Sequence, residues 1–218
     1  MNISLLRKVI SEAIGTAFLV MIVIGSGIMG QNLSTDTLSI LLANTLATGV
    51  GLTTLIWVFI AISGAHFNPA VTLVMLLRRE MTALDALAYI AAQFLGAMLG
   101  VLMVHAMFDL ALLQSSSNFR GGVNLYLSEG IATFGLLMTI LSVRRLSLLA
   151  VAPAVGLYIS AGYWFTASTS FANPAVTVAR GFTDSFTGID PGFILPFIGA
   201  QLIAALFAML LMRFLLDD

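Results

Sequence analysis

Long apolar stretches separated by short polar segments run through the whole chain. A membrane-spanning helix needs about 20 predominantly apolar residues. Six stretches meet that requirement, at about 8–30, 38–62, 84–108, 124–143, 147–168 and 192–214. The pattern therefore predicts an all-α membrane protein with six transmembrane helices. The first stretch is too long for a signal peptide and contains Glu12, so we expect it to remain as an uncleaved span.

The composition excludes most soluble classes of protein. Of the 218 residues, 60% are apolar and 9% are charged, whereas ordinary globular domains have about 45–50% and about 25%. A net charge of −1 offers no basic field, so we expect no nucleic-acid partner. Cysteine is absent, which excludes disulfides and thiol nucleophiles. We expect the lipid bilayer as surroundings and no cofactor or metal.

The basic residues indicate which loops face the cytoplasm. If the N-terminus is cytoplasmic, seven of the nine Lys and Arg fall on that side of six spans. These are Arg7, Lys8, Arg78, Arg79, Arg144, Arg145 and Arg213. Cytoplasmic loops carry an excess of Lys and Arg. We therefore predict a multi-pass protein of the cell inner membrane with both termini in the cytoplasm.

Three short motifs recur in the same order in the two halves of the chain. Residues 11–14 match 128–131, residues 68–72 match 173–177, and residues 92–93 match 200–201. Each half has three predicted spans, an odd number, so the halves cross the membrane in opposite senses. Such inverted repeats place binding sites near the midplane. We predict one channel domain over 1–218, with repeat halves of about 1–110 and 119–218.

The central repeated motif predicts two helix starts. Asn is a preferred helix N-cap and Pro is favoured at the first helical position, so helices should begin at Asn68 and Asn173. Each apolar run that follows is about ten residues, or roughly 15 Å, half of the hydrocarbon core. Two re-entrant half-helices would then meet at the midplane with their positive dipole ends together. The alternative, two surface helices in loops, is disfavoured because both copies occupy equivalent positions.

On these motifs the sequence resembles the aquaporin, or major intrinsic protein, superfamily. Residues 63–72 follow the first family signature, and residues 173–175 form the second. The resemblance implies an aquaporin-like hourglass channel, usually a homotetramer, that passes small uncharged solutes. It also implies that the pore is formed around six motif residues, namely Asn68, Pro69, Ala70, Asn173, Pro174 and Ala175.

Ionisable residues within a membrane span are functional candidates by default. Glu12 and Glu129 occupy equivalent positions of the repeat. By resemblance they accept hydrogen bonds from the half-helix loops, and Gln93 and Gln201 serve similarly or satisfy partners between helices. His66, two residues before Asn68, borders the cytoplasmic half of the pore by resemblance; the alternative is a histidine satisfied within the loop.

The chain departs from the family at the outer filter. Most members have arginine three residues after the second Asn, and Val176 stands there. The other filter positions, carried over by spacing, are Thr48, Ala161 and Ser170. This ring has no arginine, histidine or aromatic residue. We therefore expect a wider and less polar filter, because valine lacks the charge and the five donors of arginine.

Arg180 lies one helical turn beyond Val176. It either lines the outer vestibule or complements the helix dipole and extends outward to the interface, and we favour the second interpretation. Glycerol channels usually have Asp at the position of Thr177, so a standard glycerol facilitator is not expected. Residues 170–176 resemble bacterial family members associated with arsenic handling. That similarity adds neutral metalloid hydroxides, such as arsenous acid or its methylated forms, to water and polyols as expected solutes.

Two other functional classes can be compared with a passive channel. An ion- or proton-coupled transporter could use Glu12 and Glu129 as carriers. A membrane-embedded enzyme is disfavoured because the two histidines lie in separate segments and no catalytic cluster is recognisable. The sequence favours the channel.

Overall fold

The computed structural model describes residues 3–216, and within that range the chain is helical apart from its connections. The helices are α1 Leu5–Leu33, α2 Thr37–Ser63, α3 Pro69–Leu77, α4 Ala83–Met107, α5 Val123–Leu146, α6 Val151–Phe165, α7 Pro174–Arg180 and α8 Ile194–Leu215. A 3-10 turn, Pro191–Phe193, leads into α8. The outermost residues of the predicted repeat halves, 1–2 and 217–218, lie outside the described residues.

Five helices are long and apolar enough to cross a membrane: α1, α2, α4, α5, and α8 with its leading turn. This confirms the prediction of an all-α membrane protein. The stretch predicted at 147–168 is helical only across the 15 residues of α6. Residues 148–150 form a turn instead, and Pro153 falls in the first turn of α6, where its missing N–H needs no acceptor.

The helices pack in two similar groups. In the first half α1 lies against α2 and α4, and in the second half α5 lies against α6 and α8. Contacts between α2 and α6 join the two groups. Large apolar side chains are exposed on the outer faces of the long helices, for example Leu46, Leu95 and Leu157. Such an apolar surface suits lipid and not water.

The contact between α1 and α4 depends on glycine. A side chain at Gly96 would collide with the backbone carbonyl of Ala13, and one at Gly100 would meet that of Ala17. The small residues therefore let the two backbones approach closely, as small-xxx-small sequences do in membranes.

Two loops cover the same end of the bundle. The loop 108–122 and the loop 181–190 are joined by backbone hydrogen bonds, including Ser116 N to the Gly181 carbonyl at 3.1 Å and Asp190 N to the Asn118 carbonyl at 2.9 Å. The carboxylate of Asp184 also accepts from the backbone N–H of Ser117 at 2.8 Å. These bonds fix the position of the residues that follow α7.

Candidate functional site

The two short helices begin where their capping residues predict. The side-chain oxygen of Asn68 accepts from the N–H of Ala70 at 2.9 Å, and Pro69 is the first residue of α3. The side-chain oxygen of Asn173 accepts from Ala175 N at 3.0 Å and from Val176 N at 3.3 Å, and Pro174 begins α7. The expected helix starts are therefore confirmed. Each cap satisfies N–H groups that would otherwise lack a partner at the helix end.

The same two asparagines tie the short helices to each other. Asn68 donates from Nδ2 to the carbonyl of Ala172 at 2.7 Å, and Asn173 donates from Nδ2 to the carbonyl of Phe67 at 2.8 Å. Each amide thus contacts the loop that precedes the opposite helix. The reciprocal bonds bring the N-terminal ends of α3 and α7 together, so their positive dipole ends converge.

The loop before each short helix has an unusual backbone. Ala65 and Phe67 have φ of 51° and 48°, and Ser170 and Ala172 have φ of 51° and 49°. Left-handed conformations cost non-glycine residues about 1–3 kcal/mol each and persist where surrounding contacts enforce them. The two loops therefore share a strained conformation at equivalent positions.

Glu12 provides contacts that hold the first loop. It is fully buried. One carboxylate oxygen accepts from the Ser63 hydroxyl at 2.6 Å and from His66 N at 3.0 Å. The other accepts from Phe67 N at 2.7 Å and from the amide of Gln93 at 2.8 Å. Four donors thus surround one carboxylate, which compensates for its burial.

Glu129 holds the second loop in the equivalent way. Its carboxylate, also fully buried, accepts from Phe171 N and Ala172 N, each at 2.9 Å. The amide of Gln201 donates to the same carboxylate at 2.7 Å and to the Thr177 hydroxyl at 2.9 Å. In the first half, Gln93 likewise donates to the Thr72 hydroxyl at 2.9 Å. Each Gln therefore bridges its glutamate to the short helix.

A cavity of about 360 Å³ runs past the meeting point of the two short helices. Asn68 and Asn173 both line it, and so do the strained loop residues 64–67 and 170–172. His66 lines it too, with its Nδ1 3.1 Å from the Thr72 hydroxyl. The wall is otherwise mostly aliphatic. Its apolar residues include Leu19, Val23, Leu52, Ile56, Ile60, Val71, Leu136 and Val155.

Three of the four filter positions carried over by spacing line this cavity. They are Thr48, Ser170 and Val176. Ala161 is exposed on the outer face of α6 and is not among the lining residues, so that assignment is wrong. Helix α6 instead presents Ile159 and Tyr163, two residues to either side. A shift of two residues on a helix turns a side chain by about 200°, which moves it from the cavity to the outer face.

Tyr163 is a lining residue that sequence reasoning missed. Its hydroxyl donates to the Thr48 hydroxyl at 3.2 Å, and the side chain is 4% exposed. An aromatic residue therefore lies beside Thr48, next to the four predicted filter positions, which include none. A polar aromatic residue within the apolar stretch of α6 was the available signal, because buried Tyr hydroxyls usually require a partner.

Arg180 also lines the cavity, contrary to the favoured interpretation. Its side chain is 2% exposed, and its guanidinium carbon lies 3.3 Å from the centroid of the Phe171 ring. Its Nε donates to the carbonyl of Thr187. Arg180 does lie in the last turn of α7, where a cation complements the helix dipole, but it does not extend to the outer surface.

The opposite end of the cavity is polar and charged. Arg144 forms an ion pair with Glu80, with Nη1 2.7 Å from Oε2, and Arg78 contacts Glu80 at 2.8 Å. The bonds from Arg144, together with those from Arg78, hold the pKa of Glu80 below its usual value. Glu80 and Arg144 line the cavity at this end. Within residues 3–216 no cluster of His, Asp and Glu could hold a metal ion.

Comparison with known proteins agrees with this architecture. The family described as "Major intrinsic protein" matches residues 1–147. "Aquaglyceroporin AqpS" of Rhizobium meliloti (strain 1021) is 51% identical over 213 residues, covering 98% of this chain and 91% of that protein. "Aquaporin-1" of Rattus norvegicus is 30% identical over 227 residues, covering 94% and 82%. An X-ray structure of the aquaglyceroporin from Plasmodium falciparum has a TM-score of 0.72 at 24% identity over 96% of both chains.

A membrane-embedded helical bundle with two capped helix ends facing one cavity defines a channel-type membrane protein. The matches identify the class more closely, because they cover most of the chain and include a relative that is half identical. The chain belongs to the major intrinsic protein, or aquaporin, family. It is a membrane channel for neutral solutes, and it is not an enzyme.

Proposed function

We propose that the cavity is the central part of a continuous pore. In this proposal α1, α2, α4, α5, α6 and α8 cross the bilayer, and α3 and α7 are re-entrant half-helices that enter from opposite sides. The equivalent packing of the two halves and their equivalent Glu and Asn contacts support an inverted repeat within one channel domain. The observation that carries the proposal is the pair of reciprocal Asn-to-carbonyl bonds at the meeting point of the half-helices.

The proposed pore selects neutral solutes by replacing their hydration. The side-chain amide of each asparagine, Asn68 and Asn173, donates one N–H to a carbonyl of the opposite loop. Its second N–H can donate to the oxygen of a water molecule or of a solute hydroxyl group. Ions gain no such compensation. A cation meets two positive helix ends in a low-dielectric wall, and removing its hydration shell costs of order 20 kcal/mol in the idealised limit.

We propose that Val176 makes the outer filter wide enough for solutes larger than water. Valine occupies less space than arginine and contributes no donors. AqpS, which is 51% identical to this chain, is an aquaglyceroporin, and this similarity supports polyols as solutes. Neutral metalloid hydroxides such as arsenous acid have a similar size and number of hydroxyl groups. The proposed solutes are therefore water, polyols such as glycerol, and undissociated metalloid hydroxides.

The orientation and assembly belong to the same proposal. Arg78 and Arg144 lie at the Glu80 end of the cavity, so the positive-inside rule puts this end in the cytoplasm of an inner-membrane protein. Both termini would then be cytoplasmic. The exposed apolar faces of the long helices leave room for packing between copies, and we propose the homotetramer that is usual for the family.

The competing proposal of a coupled transporter receives no support from the two glutamates. Glu12 already accepts four hydrogen bonds and Glu129 accepts three. These bonds fix the conformation of the two loops, so a carboxylate that exchanged its partners in a transport cycle would release the loop that it holds. In this proposal both carboxylates serve to hold the loops.

The test is solute flux in proteoliposomes of purified protein. Stopped-flow light scattering should show water, glycerol, urea and arsenite permeabilities above those of empty liposomes. The flux should be unchanged when ionophores remove proton and sodium gradients, because a channel needs no coupling ion. Uptake that disappears with the gradients would overturn the proposal.

A further inference from the structure

Arg180 is a buried charge without a countercharge. Among residues 3–216 no carboxylate lies within ion-pair distance of it, and its hydrogen bond to the protein uses only Nε. Burying an unpaired charge is costly, and ionisable residues within a membrane are functional candidates for that reason. The one hydrogen bond that Arg180 makes within the described residues leaves the four N–H donors of its two terminal amino groups without an acceptor.

The side chain of Arg180 is held in a defined position. The Phe171 ring stacks against its guanidinium group, at 3.3 Å from ring centroid to guanidinium carbon. The Thr187 carbonyl accepts from its Nε. Thr187 belongs to the loop 181–190, which is fixed to the loop 108–122 by backbone bonds. The guanidinium is therefore fixed by contacts with its ring face and Nε, while its terminal amino groups remain available.

Arg120 provides an informative contrast. Its guanidinium also lies near Phe171, at 5.0 Å from the ring centroid. However, its Nε and both terminal nitrogens donate to the backbone carbonyls of Gly188, Ser168 and Phe186 at 2.8–3.3 Å. Arg120 is not among the residues that line the cavity, whereas Arg180 is. One arginine is used to hold the outer loops, and the other faces the solute path.

A second polar group without a partner lies at the same end of the cavity. The Ser170 hydroxyl is buried and has no hydrogen-bond partner among the described residues. Ser170 is 3% exposed and lines the cavity together with Val176 and Arg180. Val176 and Arg180 are four residues apart on one face of α7, about 6 Å along the axis. Donors from Arg180 and the hydroxyl of Ser170 thus flank the apolar surface of Val176.

We propose that Arg180 is the specificity-determining cation of this channel, placed one helical turn outward from the position that Val176 occupies. Its terminal amino groups donate to the oxygens of neutral polyhydroxy solutes, and the Ser170 hydroxyl offers a further donor or acceptor. Its charge repels cations before they reach the asparagines. Two different residues therefore set the width of the pore and the recognition of the solute. Val176 leaves the pore wide, and Arg180 distinguishes solutes by their hydroxyl groups. This inference rests on the proposed function.

The experiment compares two probes of similar size that differ in one hydroxyl group, glycerol and propane-1,2-diol. Wild-type protein and Arg180→Gln are reconstituted, and both permeabilities are measured in the same vesicles, so that their ratio does not depend on the amount of active protein. Arg180→Gln should lower the glycerol to propane-1,2-diol ratio at least about threefold, and should raise potassium leakage about tenfold, equivalent to about 1.4 kcal/mol of lost barrier.

Two further variants keep the test decisive. Arg120→Gln removes a nearby charge that does not line the cavity, and we expect its permeability ratio to equal that of wild type. Arg180→Lys keeps the charge and loses the planar fork. It should retain the block on potassium and lower the permeability ratio, and it provides this test if Arg180→Gln does not fold.

If the wild-type protein conducts glycerol and the glycerol to propane-1,2-diol ratio is unchanged in Arg180→Gln and Arg180→Lys, the role of Arg180 is overturned. The proposed channel function would not be affected by that result. An equal drop in Arg120→Gln would also overturn the role of Arg180, because the effect would then come from the general outer charge or from loop stability. Wild-type vesicles that pass neither probe above empty liposomes would instead contradict the proposed function.

Discussion

Asn68 donates from its side-chain amide to the backbone carbonyl of Ala172, 104 residues away, at 2.7 Å. The bond links a capping residue of one short helix to the strained loop before the other. Asn173 makes the equivalent bond to Phe67 at 2.8 Å. The two half-helices are thus held by the same groups that are proposed to contact the solute, so pore geometry and local stability should respond together to substitution.

Replacing Asn68 by Ala removes both a helix cap and this cross-tie. A lost cap costs about 0.5–2 kcal/mol, and a lost buried hydrogen bond adds about 0.5–1.5 kcal/mol. We expect Asn68→Ala to lower the thermal midpoint in detergent and to reduce the permeability of every solute. Asn124 is exposed at the start of α5, so Asn124→Ala is the matched control. An equal effect in both variants would contradict the assigned contacts.

Glu129→Gln tests whether the buried carboxylate serves the loop or a transport cycle. The substitution places an amide NH₂ against N–H donors that now face carboxylate oxygens. Since hydrogen bonds to charged groups contribute about 1.5–3 kcal/mol, the variant should be less stable by about that amount. Its permeability should fall equally with and without a proton gradient. If the variant stayed stable and lost only gradient-dependent uptake, a transporter role would be supported instead.

The helix starts could be predicted from the sequence because their causes are local. Asn followed by Pro specifies a cap and a first turn wherever it lies, and both copies behave as expected. The sequence also predicted that Glu12 and Glu129 have the same role, because they occupy equivalent positions in the repeat. Their contacts with loop N–H groups depend on the packing of distant segments, and the resemblance to a family, not the residues themselves, suggested those contacts.

The two wrong predictions, those for Ala161 and Arg180, share a different physical cause, because both positions depend on packing between distant segments. Ala161 was assigned by counting residues across a connection, and a shift of two residues on α6 separates the cavity from the outer face. The direction of Arg180 depends on Phe171 and on the Thr187 carbonyl, both outside its own helix. Helix periodicity in the sequence cannot predict which way Ala161 or Arg180 faces, because hydrophobic residues face both the lipid and the core in a membrane bundle.

The ion pair at the Glu80 end should make stability depend on pH. Bonds from Arg144 and Arg78 lower the pKa of Glu80 in the folded protein. A lowered pKa means that the pair stabilises the fold above the unfolded value, about 4.3, and that this stabilisation is lost as the pH falls through the folded value. The thermal midpoint of wild type should exceed that of Glu80→Gln at pH 7, and the gap should close below about pH 4. A gap that is constant down to pH 3 would contradict the pairing.

The Ser170 side chain packs directly against Gly162, where there is no room for a larger residue. A Cβ at position 162 would lie 2.6 Å from the Ser170 hydroxyl and 2.8 Å from its Cβ, so Gly162→Ala should displace Ser170. We expect a lower glycerol to water permeability ratio. Gly199→Ala is the matched control, because nothing lies within 4 Å of the added carbon, and alanine in a helix is about 0.5–1 kcal/mol more favourable than glycine. Equal ratios in the two variants would argue against a role of Ser170 in the pore.

In the proposed channel, Val176 sets the width of a pore for neutral solutes. Val176 is 4% exposed, lies in the first turn of α7 and lines the cavity. A larger side chain there should narrow the path where Ser170 also lines it, while water, the smallest solute, should be affected least.

The most direct measurement is stopped-flow permeability of Val176→Arg in liposomes, with water and glycerol recorded on the same vesicles. We expect glycerol permeability to fall at least about tenfold more than water permeability, equivalent to about 1.4 kcal/mol of added barrier for the larger solute. Equal losses for water and glycerol, or an unchanged glycerol flux in a folded variant, would contradict this expectation.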